Sequence, residues 1–147
     1  MNKYIIAVIL LSLISCNKND IYIEDIPFNY GSNNAQPNLV SSNGTLSLSW
    51  ISSLEENESV LHFSNYKDNR WTEPKNIASG NDWFVNWADF PAHAINEDLI
   101  ITSYLKKSGT GTYHYDVILN LQNSSGKNIK EDFLLNTDGV KAEHGFV

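Results

Sequence analysis

Two short clusters hold the residues of this chain best suited to chemistry. Asn86, Asp89 and His93 lie within eight positions of one another, with Trp83 and Trp87 around the first of them; Glu143 and His144 stand side by side near the carboxyl end. A carboxylate pair such as Asp89 and Glu143 can exchange protons as a general acid and base or hydrogen-bond sugar hydroxyls, and an indole such as Trp83 or Trp87 offers a flat apolar platform for a sugar ring. The same types also have structural uses: Asp89 can cap a turn, His93 can be a satisfied inner-strand histidine, and tryptophans are commonly core. Both readings stand at this level. His62 and His114 complete a set of four histidines whose spacing matches no metal site, so neither metal nor cofactor is expected.

The elements that must position these residues are strands. Leu46, Leu48 and Trp50 alternate with Ser47 and Ser49, while Tyr113, Tyr115, Val117, Leu119 and Leu121 alternate with His114, Asp116 and Asn120. Turn signals separate the runs: SSNG at 41–44, EENES at 55–59, KDN at 67–69, NED at 96–98, SGTG at 108–111 and NSSG at 123–126. The runs repeat as two sets of four, QPNLVSS, TLSLSWIS, SVLHFSNY and RWTEPKNIAS, then FPAHAIN, LIITSYLKK, TYHYDVILNLQ and KNIKEDFLLN. Pro37 recurs at Pro91 and then as Gly145, and Ala88-Asp89 recurs as Ala142-Glu143, a period of 54 residues. Four strands at such a period predict an all-β fold, a β-propeller of four-stranded antiparallel blades: two blades, the EHGFV tail opening a third, and the ring incomplete. A β-sandwich of eight strands fits the same count.

The amino end reads differently. Residues 1–15 have a positive start and an apolar stretch, Tyr4 to Leu13, too short to span a bilayer, as in a secretion signal. Residues 16–35, polar and Asn-rich, read as a tether, and residues 36–147 as the propeller part. Cys16 is the only cysteine, which rules out an intramolecular disulfide. The formal charge of −7, with only ten Lys and Arg, argues against nucleic acid as a partner.

Two resemblances sharpen these expectations. Leu13-Ile14-Ser15-Cys16 resembles the lipobox of bacterial lipoproteins, which implies a lipid on Cys16, anchorage to a membrane, and a place in the cell envelope, at the outer membrane or cell surface. SNYKDNRW at 64–71 resembles an Asp-box turn of the BNR-repeat type found in sialidases: Ser64 and Trp71 match, while Tyr66 stands at the aspartate and Asp68 at the glycine. WFVNWADFPAH and AEHGFV are similar to strand-opening segments of sialidase-like propeller lipoproteins of Bacteroidetes type. This likeness implies that the chain is the amino-terminal part of a lipid-anchored protein whose full length is a glycoside hydrolase of exo-α-sialidase type. Such an enzyme needs three arginines, a tyrosine backed by a glutamate, and an acid/base aspartate. The chain has one arginine, Arg70, and it falls in the Asp-box turn. The fragment alone is therefore expected to be inactive, with the catalytic residues unassigned beyond Asp89, Glu143 and His144 as candidates. Trp83, Asn86, Trp87 and His93 are the candidates for substrate binding, with a glycan as the expected ligand. The other reading is a non-catalytic propeller that binds glycan or protein at the surface.

Overall fold

A computed structural model describes residues 21–54, 58–86, 88–135, 137 and 139. The expectations placed on residues 1–15, Cys16, Trp87, Glu143, His144 and the final strand lie outside the described residues.

The described chain is all-β, with two antiparallel sheets and neither closed into a barrel. The first contains β1 (Asn34–Ser42), β2 (Thr45–Ser53), β3 (Ser59–Lys67), β4 (Arg70–Trp71) and β5 (Lys75–Gly80), where β4 and β5 pair with successive stretches of β3 as one interrupted outer strand. The second contains β6 (Trp83–Phe84), β7 (Ala92–Asn96), β8 (Leu99–Lys107), β9 (Tyr115–Asn123) and β10 (Asn128–Leu134), where β6 and β7 share the edge of β8. Each sheet thus has four strand positions filled in chain order, with no strand crossing from one sheet to the other. That wiring is consistent with the blades of an incomplete propeller and with a sandwich of two sheets. The leading strands of the two sheets meet: β1 lies against β7, and the Ser42 hydroxyl donates to the Ile95 carbonyl at 3.0 Å.

Local chemistry explains the strand ends. Asn43 and Gly44 both have positive φ between the paired Ser42 and Thr45, as do Asp68 and Asn69 between Lys67 and Arg70. Two-residue hairpins need this backbone to match the twist of the strands, and Asn, Asp and Gly tolerate it best. The SNYKDNRW turn is therefore a tight hairpin with a brace of its own. Ser64 donates to the Thr72 carbonyl at 2.7 Å, and the Asn65 N–H donates to the Thr72 hydroxyl at 3.1 Å. Trp71 packs on Tyr66 at 5.3 Å.

The sheets pack face to face. Ile51, Leu61, Phe63 and Ile77 of the first meet Ile100 of the second, with Trp83, Val85 and Ile95 against them. Each such side chain contributes roughly 1.5–3 kcal/mol on leaving water. The alternation predicted for β2 is present, but its serine face is the interior one: Ser47 and Ser49 are fully buried towards the second sheet. Trp50, also buried, lies on the opposite face, beneath residues 28–30. Phe28 sits 4.8 Å from Trp50 and 5.9 Å from Trp71, Tyr30 stacks on Trp50, and the Tyr30 hydroxyl donates to the Thr72 carbonyl at 3.0 Å. Residues 28–30 are thus an aromatic strap on the first sheet, while Ile21 to Ile23 are exposed.

Candidate functional site

The end of the molecule where β2 passes to β3 and where the chain crosses from the first sheet to the second holds a polar cleft of about 380 Å³. It is lined by Gln36, Ser53, Glu58, Ser59 and Trp83, with Ile51, Leu54 and Val85 as its apolar part. Gln36 owes its place to a β-bulge. The register between β1 and β2 shifts between Ala35 and Asn38, and Gln36 takes a φ of 48°, a left-handed conformation uncommon for its type. Glu58 follows from the β2–β3 loop, where the Leu54 N–H donates to the Glu58 carbonyl at 2.8 Å. Trp83 is held by two contacts: its ring lies 4.4 Å from that of Tyr104, and it crosses Gly80 so closely that a Cβ there would come within 2.5 Å of the indole nitrogen. A side chain at position 80 would push the indole out of place.

The other sequence candidates occupy two further environments. Asn86 and Asp89 are brought together in a closed turn: the Asn86 side-chain oxygen accepts from the N–H groups of Ala88 and Asp89, each at 2.7 Å, its amide donates to the Asp89 carboxylate at 3.0 Å, and the Asn86 N–H donates to the Asp89 carbonyl at 3.1 Å. This is the turn-capping use of the pair. His93 is buried between the sheets, remote from both groups in role. Its Nε2 lies 2.8 Å from the Ser47 hydroxyl and its Nδ1 2.8 Å from that of Ser49, with the Phe63 ring edge-on. The Ser47 hydroxyl also lies 3.2 Å from the Val40 carbonyl, and the neutral ring donates through one nitrogen and accepts through the other, so both serines are satisfied in either tautomer. Burial pushes the imidazole down to a pKa of about 4, and the ring is neutral. It serves as a polar connector between sheets.

A second polar group was not foreseen. Tyr104 donates to the Asp132 carboxylate, and Asp132, with a φ of 46° at another irregularity of register, donates its own N–H to Asn120 at 2.7 Å. Burial first, and the neighbouring carboxylate second, raise the Tyr104 phenol above its ordinary range, so it remains a donor. Lys106 lies between Asp82 and Asp132 at 3.9 and 4.0 Å, in exposed contacts that add little. No sequence signal marks Gln36 or Asp132, because both depend on bulges; Glu58 lay within a recognised turn but carried no motif. Arg70, exposed in the hairpin at the far end of β3, is separated from the cleft by the length of that strand, about 25–30 Å. Among the described residues no three His, Cys, Asp or Glu side chains gather as a metal-binding group.

No protein family, no curated protein and no solved structure was found to match this chain.

Proposed function

We propose that this chain is part of a lipid-anchored, sialidase-like propeller of the bacterial envelope, and that its described part binds glycan in the cleft without hydrolysing it. The observation that carries the reading is the composition of the cleft: one indole, immobilised by Tyr104 and Gly80, beside an amide, a carboxylate and two hydroxyls. Saccharide sites combine an aromatic surface for the C–H face of a pyranose with side chains that both donate and accept hydrogen bonds. The hydrolytic reading has less support. Asp89 is engaged with Asn86, and Glu58 is the one carboxylate among the described residues that line the cleft. Arg70 is at the wrong end of the sheet for a sugar carboxylate.

The test is a glycan array probed with the 147-residue protein, followed by calorimetry on the best saccharide. Trp83→Ala and Glu58→Gln should each weaken retention about tenfold or more, and Arg70→Ala should leave it unchanged. Equal retention by Trp83→Ala would remove the cleft as the site. Turnover of a fluorogenic sialoside above background would favour the hydrolase instead. The anchor has its own test: Cys16→Ser should shift the protein from the membrane pellet to the supernatant, and persistence in the pellet after a salt wash would refute it.

A further inference from the structure

The outer face of the second sheet, turned away from the first, carries an apolar hollow of about 240 Å³ between β7, β8 and β9. Its lining on that face is Ala92, Ala94, Ile101, Ser103 and Leu119, and Ile101 is 36% exposed.

The same hollow exists on the first sheet, where it is filled. In the first sheet Val40 pairs with Ser47, Asn38 with Ser49, and Ser49 with Phe63; in the second Ala94 pairs with Ile101, Ala92 with Ser103, and Ser103 with Leu119. Position for position, Ser47, Ser49 and Phe63 become Ile101, Ser103 and Leu119. The occupant in the first case is His93, which bonds both serines and packs on Phe63. Fifty-four residues beyond His93 stands Val147. The change of occupant follows the change of lining, since the hollow that lost a serine to isoleucine and a phenyl ring to leucine is paired by the repeat with an aliphatic side chain instead of an imidazole. The connection also has the right length. Eleven residues separate Gly80, the end of β5, from Ala92, the start of β7, and eleven separate Leu134, the end of β10, from Phe146.

We propose that the segment 141–147 of this same chain docks on the outer face of the second sheet, with the Val147 side chain in the hollow of Ile101, Ser103 and Leu119. The segment repeats there, with apolar contacts, the seating that β7 makes on the first sheet through hydrogen bonds. Burial of Ile101 and Ala94 drives it, and no partner molecule is needed.

The methyl-labelled 147-residue chain provides the test. Nuclear Overhauser contacts should connect the Val147 methyls with those of Ile101 and Leu119 within one chain, as shown by their absence in a mixture designed to reveal only contacts between chains. Val147→Asp should raise binding of a fluorescent apolar dye several-fold, and Val147→Ile should not. Val147 methyls without contacts to the sheet would overturn the proposal. So would contacts found only between chains, which would give the face to a second copy, or dye binding unchanged by Val147→Asp.

Discussion

The two faces of the second sheet make opposite use of the same strands. Towards the first sheet point His93, Thr102, Asn120 and Gln122, all buried, and the Gln122 amide donates to the Ile77 carbonyl at 3.2 Å. Away from it point Leu105, Tyr115 and Val117, joined by Phe84, and beside them the hollow of Ile101 and Leu119. The face already packed against a neighbour is the more polar one along β9, and the more apolar face looks outward. His93 and Gln122 can be interior because each has a fixed partner on the first sheet, and Asn120 because it accepts from Asp132 of its own sheet, whereas apolar groups need only coverage. A hydrogen-bonded interface specifies its partner; an apolar one asks only for shape.

Truncations measure that contrast most directly. Ile100→Ala, on the inner face and 4% exposed, should cost about 2–5 kcal/mol in urea unfolding, against about 1 kcal/mol for Ile101→Ala on the outer face. Equal losses would show the two faces to be closed alike.

Next in size is the pH response of the inner face. The folded value of His93, about 4, lies below its ordinary 6.5, so the unfolded chain takes up the proton first. Stability from this group is complete above pH 6.5, falls as pH drops from 6.5 towards 4, and levels off below. The loss should be on the order of 3 kcal/mol. His93→Gln should remove that component from stability curves recorded at pH 7 and pH 4.5, and an unaltered pH slope in the variant would mean that the imidazole is not held neutral between the serines.

Phe28→Ala tests the strap on the first sheet, and loss of its edge contacts to Trp50 and Trp71 should cost about 1 kcal/mol and expose indole fluorescence to a soluble quencher. Smaller still, Lys106→Ala should change stability by no more than about 0.5 kcal/mol, since both its carboxylate contacts are exposed. A larger loss would make the rim of the interface as important as its centre.

Much of the fold was legible because its signals are local. Asn43-Gly44 and Asp68-Asn69 fix hairpins through the backbone they tolerate, and the eight strand runs coincide with the strand positions of the two sheets, the outer strand of the first sheet and the leading edge of the second being interrupted. The site was less legible. Asn86 and Asp89 do meet, and Trp83 does line the cleft, but Gln36 and Glu58 reach it through a bulge and a loop end that no periodicity reveals.

What the amino-acid sequence determined by itself was the succession of strands and turns and the 54-residue repeat that relates them, since alternation and turn chemistry act over a few neighbouring residues. Which side of each strand became interior was decided only by the tertiary structure. Ser47 and Ser49 look like solvent-facing residues until His93 arrives from a strand more than forty positions away, and a serine is worth burying only when such a partner is in place.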